Sequence, residues 1–229
     1  IFKNKFKNSK SGFLRNDYLD KTVGKDNYLL FLTADHAGAE NSNYLKDNKY
    51  NVKNIPSKEI VGALKKKSNE TFGADLILDY SNFNLFLNKE IIKGKGLEFT
   101  KVKQSFKEFL MTQEQVKRVY TEEEILASSG DDYFLSFIAN GYDPKQNGDI
   151  VILDKTGYMQ YQSTGTTHGS PNSYDTHVPL LFYGWQVPKG ELHTKKYITQ
   201  IAPTLSQMLK IPFPNGTESE VLETLLQKK

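Results

Sequence analysis

The sequence has 229 residues, of which 38% are hydrophobic and 25% charged, as expected for a globular domain with a sizeable core. Its 13 Tyr and 14 Phe exclude a disordered chain. Its net charge of +3 is too balanced to indicate nucleic acid as a specific partner, because binding nucleic acid needs a clustered excess of basic residues. The absence of Cys excludes disulfides and thiolate metal sites, so any metal would bind His, Asp or Glu.

The ends of the sequence and its hydropathy carry three further expectations. No apolar run reaches the roughly 18 residues of a membrane span, so none is predicted. Residues 1–15 are rich in Lys and Asn and lack the apolar region of a signal peptide. A start at Ile1, soon followed by a motif-bearing strand, indicates a fragment or a processed product. No pattern indicates an oligomeric state.

The first half of the chain alternates strand and helix signals. Residues 28–33 form a continuous apolar run, which predicts a strand buried on both faces in a parallel sheet. Ser57 can cap a helix that extends to about Lys67, with the Lys run 65–67 on its solvated face. Residues 75–87 resemble strand material, and the Lys-rich stretch 89–96 is predicted to be a surface loop.

The second half continues this alternation. A helix over 131–139 is expected to end in a left-handed cap at Asn140-Gly141. The other predicted helices cover 99–111 and 199–209, and the predicted strands cover 116–120, 149–153 and 178–183. The fold class is therefore α/β, a mostly parallel sheet with helices on both faces, and no domain boundary is predicted within 1–229.

The pair Asp35-His36 directly follows the first predicted strand. Ligands bind at the carboxyl ends of strands in open α/β sheets, and zinc accepts both carboxylate oxygen and imidazole nitrogen. The pair is therefore a candidate metal site. A surface pair joined by a hydrogen bond is the alternative, because a two-residue motif is short.

The polar, Gly-rich stretch 164–177 lies between two predicted strands and carries His168, Asp175 and His177. Loops in such positions commonly carry binding groups, and Gly169 lets the backbone approach a ligand. The alternative for this stretch is a turn with an incidental histidine. His177 is interpreted as a partly buried, structural residue, and His193 as solvent-exposed.

Taken in order, these motifs resemble the alkaline phosphatase superfamily, above all the bacterial phosphate-irrepressible enzymes related to type I phosphodiesterases and nucleotide pyrophosphatases. The resemblance covers roughly residues 13–222 and is weak between about 57 and 115. The matching segments are Thr33-Ala-Asp-His36, Gly165-Thr-Thr-His-Gly169, Tyr174-Asp-Thr-His-Val-Pro-Leu-Leu-Phe-Tyr-Gly184, Ile201-Ala-Pro-Thr-Leu205 and Pro214-Asn-Gly216.

The resemblance implies zinc-dependent hydrolysis of phosphate monoesters or diesters through a covalent phospho-Thr or phospho-Ser intermediate. Two zinc ions about 4 Å apart act in the family, a spacing typical of two-metal phosphoryl transfer. Asp35 and His36 match ligands of the zinc that activates the nucleophile, and His168 matches a ligand of the zinc that stabilises the leaving oxygen. His177 and Asp175 are expected to be structural or to support the ligands. A periplasmic or secreted location is implied by the resemblance alone.

Departures from the family pattern limit what this sequence can do. The family's upstream Asp-x-x-x-His pair is absent, because no His precedes His36, and Ala37-Gly38 replaces the usual Gly after Asp-His. The nucleophile and the basic phosphate-binding residues are expected upstream as well. The sequence is therefore interpreted as the C-terminal part of one domain, inactive alone. The alternative is a pseudoenzyme or interaction domain that kept the fold and lost the site.

Overall fold

The computed structural model describes residues 17–53, 55–158 and 165–226. The strands are β1 (Leu29–Leu32), β2 (Ile77–Ser81), β3 (Asn84–Leu87), β4 (Val116–Thr121), β5 (Ile150–Asp154) and β6 (Leu181–Gly184). The helices are α1 (Ser42–Asp47), α2 (Ser57–Phe72), α3 (Lys89–Gly94), α4 (Phe99–Met111), α5 (Glu122–Leu126), α6 (Tyr133–Ala139), α7 (Ser173–Thr176), α8 (Ile201–Leu209) and α9 (Glu223–Leu226). The chain divides into two compact units, the first Ile1–Asp35 with Val178–Lys229 and the second His36–His177.

The first unit contains a two-stranded antiparallel sheet of β1 and β6, in which Leu29 lies opposite Gly184 and Leu32 opposite Leu181. Gly184 adopts a φ of +101°, where a side chain would be strained. A Cβ there would also collide with the carbonyl oxygen of Tyr28. Glycine is thus required where β6 ends.

The second unit contains a four-stranded sheet in the order β2-β3-β5-β4, with every neighbouring pair antiparallel. Asn82 and Phe83 both have positive φ and form the tight turn that joins β2 to β3. Helices α2 and α4 contribute to the same core as the sheet, and Leu64 and Phe106 are fully buried there. This core comes from helical and strand periodicities that bury one face of each element.

The α/β class is confirmed, but the described strand pairs are antiparallel and differ in this respect from the mostly parallel sheet predicted above. A continuous apolar run indicates burial, not direction, and the short turn at Asn82-Phe83 can join only antiparallel strands. The prediction that β1 is buried on both faces is also corrected within the described residues. Phe31 and Leu32 in β1 are each 42% exposed.

Two local predictions are wrong. Stretch 89–96, expected to be a loop, contains helix α3, whose start is capped by the Asn88 side chain accepting from Ile91 N–H at 3.1 Å. Ile92 is buried in the core, so packing favours a helix despite the lysines. The predicted left-handed cap of α6 is also wrong, because Asn140 has right-handed helical backbone angles. Gly141 closes the helix by donating its N–H to the Ile138 carbonyl at 3.0 Å.

Most other predicted elements agree with the structure to within a few residues. The helix over 99–111 has the bounds of α4, and the strand over 116–120 corresponds to β4. The helix expected to end near Lys67 continues to Phe72, and the run 75–87 divides into β2 and β3. Across the described part of the chain, no helix has both the length and the apolar character needed to cross a membrane.

Candidate functional site

The imidazoles of His36 and His168 lie against each other in the second unit. Their ring centroids are 3.5 Å apart and the ring planes differ by 17°, so the rings are stacked. Both side chains are exposed to solvent. Two residues far apart in sequence therefore meet at the surface, where a ligand could reach both of them.

A series of backbone hydrogen bonds brings the two histidines together. Ala37 N–H donates to the Asp175 carbonyl at 2.8 Å, and Ala39 N–H donates to the Thr167 carbonyl at 2.9 Å. The Thr166 hydroxyl in turn donates to the Ala39 carbonyl. The segment after His36 thus runs beside the segment that carries His168, which places the two rings in contact.

The start of helix α1 adds another connection between these segments. The Asn41 side chain caps α1 by accepting from Asn43 N–H at 2.9 Å and from Tyr44 N–H at 3.3 Å. Its amide group also donates to the Gly165 carbonyl. One asparagine therefore begins the helix that follows His36 and holds the loop that precedes His168.

The hydrogen bonding of His36 selects one tautomer of its neutral ring. Nδ1 lies 2.6 Å from the Ala37 carbonyl oxygen, and a carbonyl can only accept, so Nδ1 carries the proton. The lone pair of the neutral imidazole is then on Nε2. A histidine whose Nδ1–H donates to a backbone carbonyl is the usual form of a metal-binding histidine.

Asp175 lies beneath this arrangement and is only 3% exposed. Its carboxylate Oδ2 accepts from Ser170 N–H at 2.8 Å, two residues after His168. Within the described residues, its second oxygen, Oδ1, is buried and has no hydrogen-bond partner. The residue predicted to be structural or supporting thus contacts the histidine-bearing loop directly.

Helix α7, which carries Asp175, is anchored to the sheet of the second unit. Asp175 N–H donates to the Asn172 carbonyl at 3.0 Å, and the buried Asn172 side chain makes a long contact of 3.5 Å with the Asp154 carbonyl at the end of β5. Lys117 Nζ lies 3.4 Å from the Asn172 side-chain oxygen and 3.9 Å from the centre of the Phe134 ring. Desolvation, and then repulsion from Arg118, lowers the pKa of Lys117.

The remaining histidines and Asp35 are not part of the stacked contact between His36 and His168. Asp35 precedes His36 directly but ends the N-terminal segment of the first unit. His177 ends α7, where its N–H donates to the Ser173 carbonyl at 3.0 Å, and it is exposed, which corrects the expectation of partial burial. His193 is exposed, as predicted.

Imidazole nitrogen is a donor that suits zinc, and the predicted adjacent carboxylate is a second suitable type. Each of the two histidines could therefore supply one nitrogen ligand to a metal ion. Within residues 17–53, 55–158 and 165–226, however, no group of three or more His, Cys, Asp or Glu side chains is arranged to hold a metal ion. A complete shell would need ligands in addition to those that the described residues bring together.

Sequence reasoning did not identify the backbone contacts of Ala37, Ala39 and Thr167, or the anchoring role of Asn172. Backbone hydrogen bonds between distant segments have no sequence signature, because every residue except proline offers the same donor and acceptor. The Asn41 cap did have one, since Asn before a short polar helix is a typical N-cap.

No family model matches this chain. It is 39% identical over 204 residues to alkaline phosphatase PafA of Elizabethkingia meningoseptica, a match that covers 86% of the chain and 36% of the relative. It is 36% identical over 214 residues to a Myroides odoratus protein named calcium-transporting ATPase, covering 92% of the chain and 39% of that protein. The crystal structure of wild-type PafA superposes with a TM-score of 0.83 at 35% identity, covering 93% of the chain and 40% of PafA.

Sequence and fold thus agree on one class of protein, and the chain belongs to the alkaline phosphatase superfamily as a partial domain. Its relatives include PafA-type alkaline phosphatases. The chain spans about two fifths of the length of the relatives it matches. The family resemblance inferred from the ordered motifs is confirmed.

Proposed function

We propose that this chain contributes part of the metal site of a zinc-dependent phosphoester hydrolase, with Asp35, His36 and His168 as ligands. The observation that carries the proposal is the stacked contact between His36 and His168, at a centroid distance of 3.5 Å. The alkaline phosphatase relatives support phosphoester hydrolysis as the general reaction. Phosphate monoesters are the proposed substrates, with diesters as the second substrate class.

The residues of this chain would hold and orient ligand nitrogens. The His36 tautomer places its lone pair on Nε2, and the backbone contacts of Ala37 and Ala39 fix the segment on which His36 lies. When bound, zinc supplies a Lewis acid and positive charge that stabilise the charge developing on phosphoryl oxygens. Two such ions are proposed for the whole protein.

The remaining parts of the reaction are proposed to come from outside this sequence. The Thr or Ser that would form the covalent phosphoryl intermediate, the other metal ligands and the basic phosphate-binding residues have no assigned counterpart here. Three ligands split between two ions cannot hold both tightly, because each zinc normally binds three or four protein ligands. We therefore expect the 229-residue chain to be inactive alone, and propose a periplasmic or secreted location for the whole protein.

The ligand assignment is tested by titrating the 229-residue chain with zinc and following the ring signals of its four histidines by NMR. We expect the signals of His36 and His168 to shift together and the signal of His193 to stay unchanged. His36→Ala and His168→Ala should each weaken zinc binding, while His193→Ala serves as the control. Equal zinc binding by all three variants would refute the assignment.

An activity assay tests the proposed incompleteness of the site. The chain with added zinc should not hydrolyse p-nitrophenyl phosphate. Hydrolysis that is abolished by Asp35→Ala would show that the chain holds a working site. In the whole protein, His168→Ala should slow esters with poor leaving groups more than esters with good ones, because this residue is assigned to the ion on the leaving oxygen. Equal losses would contradict that assignment.

A second candidate is a pseudoenzyme or interaction domain that retains the fold. The observation that favours it is the lack of any cluster of three potential metal ligands among the residues that the structure describes. This candidate predicts that zinc leaves the His36 and His168 signals unchanged. It also predicts that the whole protein shows no zinc-dependent hydrolysis.

A further inference from the structure

Two of the hydrogen bonds of Asp175 reach the segments next to the two histidines. Its backbone carbonyl accepts from Ala37 N–H at 2.8 Å, directly after His36. Its carboxylate Oδ2 accepts from Ser170 N–H at 2.8 Å, two residues after His168. A single residue thus connects the two segments that carry the stacked rings.

Burying the Asp175 carboxylate costs free energy, which argues against a purely incidental position. A carboxylate that is 3% exposed loses hydration, and Oδ1 has no hydrogen-bond partner in the described part of the chain. Burying a charged or polar group without full pairing destabilises a fold. The compensating bond to Ser170 N–H is charge-assisted, the strong class of hydrogen bond, and it acts on the histidine loop.

Asp175 is itself held in place from the sheet side. Its N–H donates to the Asn172 carbonyl at 3.0 Å, and the Asn172 side chain is buried next to the Asp154 carbonyl. A path of contacts therefore leads from the end of β5 through Asn172 and Asp175 to the loop that carries His168. Such support from behind is what holds a surface site in one geometry.

We propose that Asp175 is a positioning residue that sets the stacked geometry of His36 and His168 before any metal binds. The carboxylate fixes the His168 loop, and the carbonyl of the same residue fixes the segment after His36. This inference deepens the proposed function, since the benefit of a preset pair is metal binding. The ring geometry itself can be tested without metal.

The test uses the metal-free 229-residue chain with labelled histidines and measures the nuclear Overhauser effect between the rings of His36 and His168. Wild type should show this signal. Asp175→Ala should lose it, and Asp175→Asn should keep it, because an amide oxygen can still accept from Ser170 N–H. Asp175→Leu removes the acceptor and the buried charge together, so it should fold and still lose the signal.

Asp149→Ala is the matched control for the stability of the same unit. Asp149 is also a buried carboxylate that accepts a backbone N–H, from Leu87 at 2.8 Å. This control should lower the unfolding midpoint but retain the contact between the histidine rings. If Asp175→Ala and Asp175→Leu retain the ring signal as the control does, the positioning role is refuted.

Zinc titration of the same variants separates this inference from the proposed function. Loss of a residue that supports metal ligands typically weakens metal binding about 10–100-fold, which is the loss we expect for Asp175→Ala and Asp175→Leu. Asp175→Asn should bind like wild type. If zinc shifts neither histidine in wild type while the ring signal depends on Asp175, the metal proposal fails and the positioning role stands.

Discussion

Replacing Asp149 with Ala should destabilise the second unit much more than replacing it with Asn. The Asp149 side chain is 7% exposed, and its two oxygens have different partners. Oδ2 accepts from Leu87 N–H at 2.8 Å, and Oδ1 pairs with Lys89 Nζ at 2.9 Å. The two substitutions separate these contacts, because only Asn keeps an oxygen that can accept from Leu87.

The magnitudes follow from the burial of each partner. Leu87 is 2% exposed, so Asp149→Ala leaves a buried N–H without its acceptor, at a cost of about 1–3 kcal/mol. Lys89 has a 62% exposed side chain, so its pairing contributes about 0–1 kcal/mol, as surface ion pairs do. We expect a loss of about 1–4 kcal/mol for Ala and about 1 kcal/mol or less for Asn.

Urea unfolding followed by circular dichroism measures both values from the shift in the unfolding midpoint at unchanged slope. Lys89→Ala is the matched control for the ion pair and should resemble Asp149→Asn. If Asp149→Asn and Asp149→Ala are equally destabilised, the charge and not the acceptor for Leu87 N–H stabilises the unit, and the reasoning is refuted.

Three further predictions concern Lys89, the core residue Phe106 and the turn at Gly184. The Asp149 hydrogen bond raises the pKa of Lys89 against desolvation, so its stabilising contribution should be complete below the unfolded pKa of about 10.4 and disappear as the pH rises through the folded value. The check is the free energy of unfolding measured as a function of pH. If Lys89→Ala loses as much stability as wild type above that pH, the result would contradict this prediction. Phe106→Ala removes a fully buried ring and should cost about 3–5 kcal/mol in urea unfolding, whereas Leu78→Ala, at a 65% exposed position, should change stability by about 0.5 kcal/mol or less. Gly184→Ala should lower the thermal midpoint, because left-handed backbone alone costs a side chain about 1–3 kcal/mol and the new Cβ meets a backbone carbonyl, while Gly190→Ala, with open space around it, should not. Equal midpoints for the two glycine variants would show that the turn after β6 can relax.

The sequence predicted the elements whose signal is local. Helix α4 was predicted with its observed bounds, because Val102, Phe106 and Leu110 recur at helical spacing and all three are buried. Stretch 89–96 was mispredicted as a loop because it is rich in lysine. Its helix is instead stabilised by packing of the buried Ile92 in the core. Strand direction was also missed, because apolar runs report burial and not orientation.

The candidate site divides in the same way. The sequence alone indicated which side chains are candidates for metal binding, since His36, His168 and a neighbouring carboxylate are recognisable by residue type and order. Only the tertiary structure decided that the two rings stack at 3.5 Å and that Asp175 lies behind them. The physical reason is that the hydrogen bonds joining these segments use backbone groups, which nearly every residue possesses, so their pairing is set by the folded chain and not by residue identity.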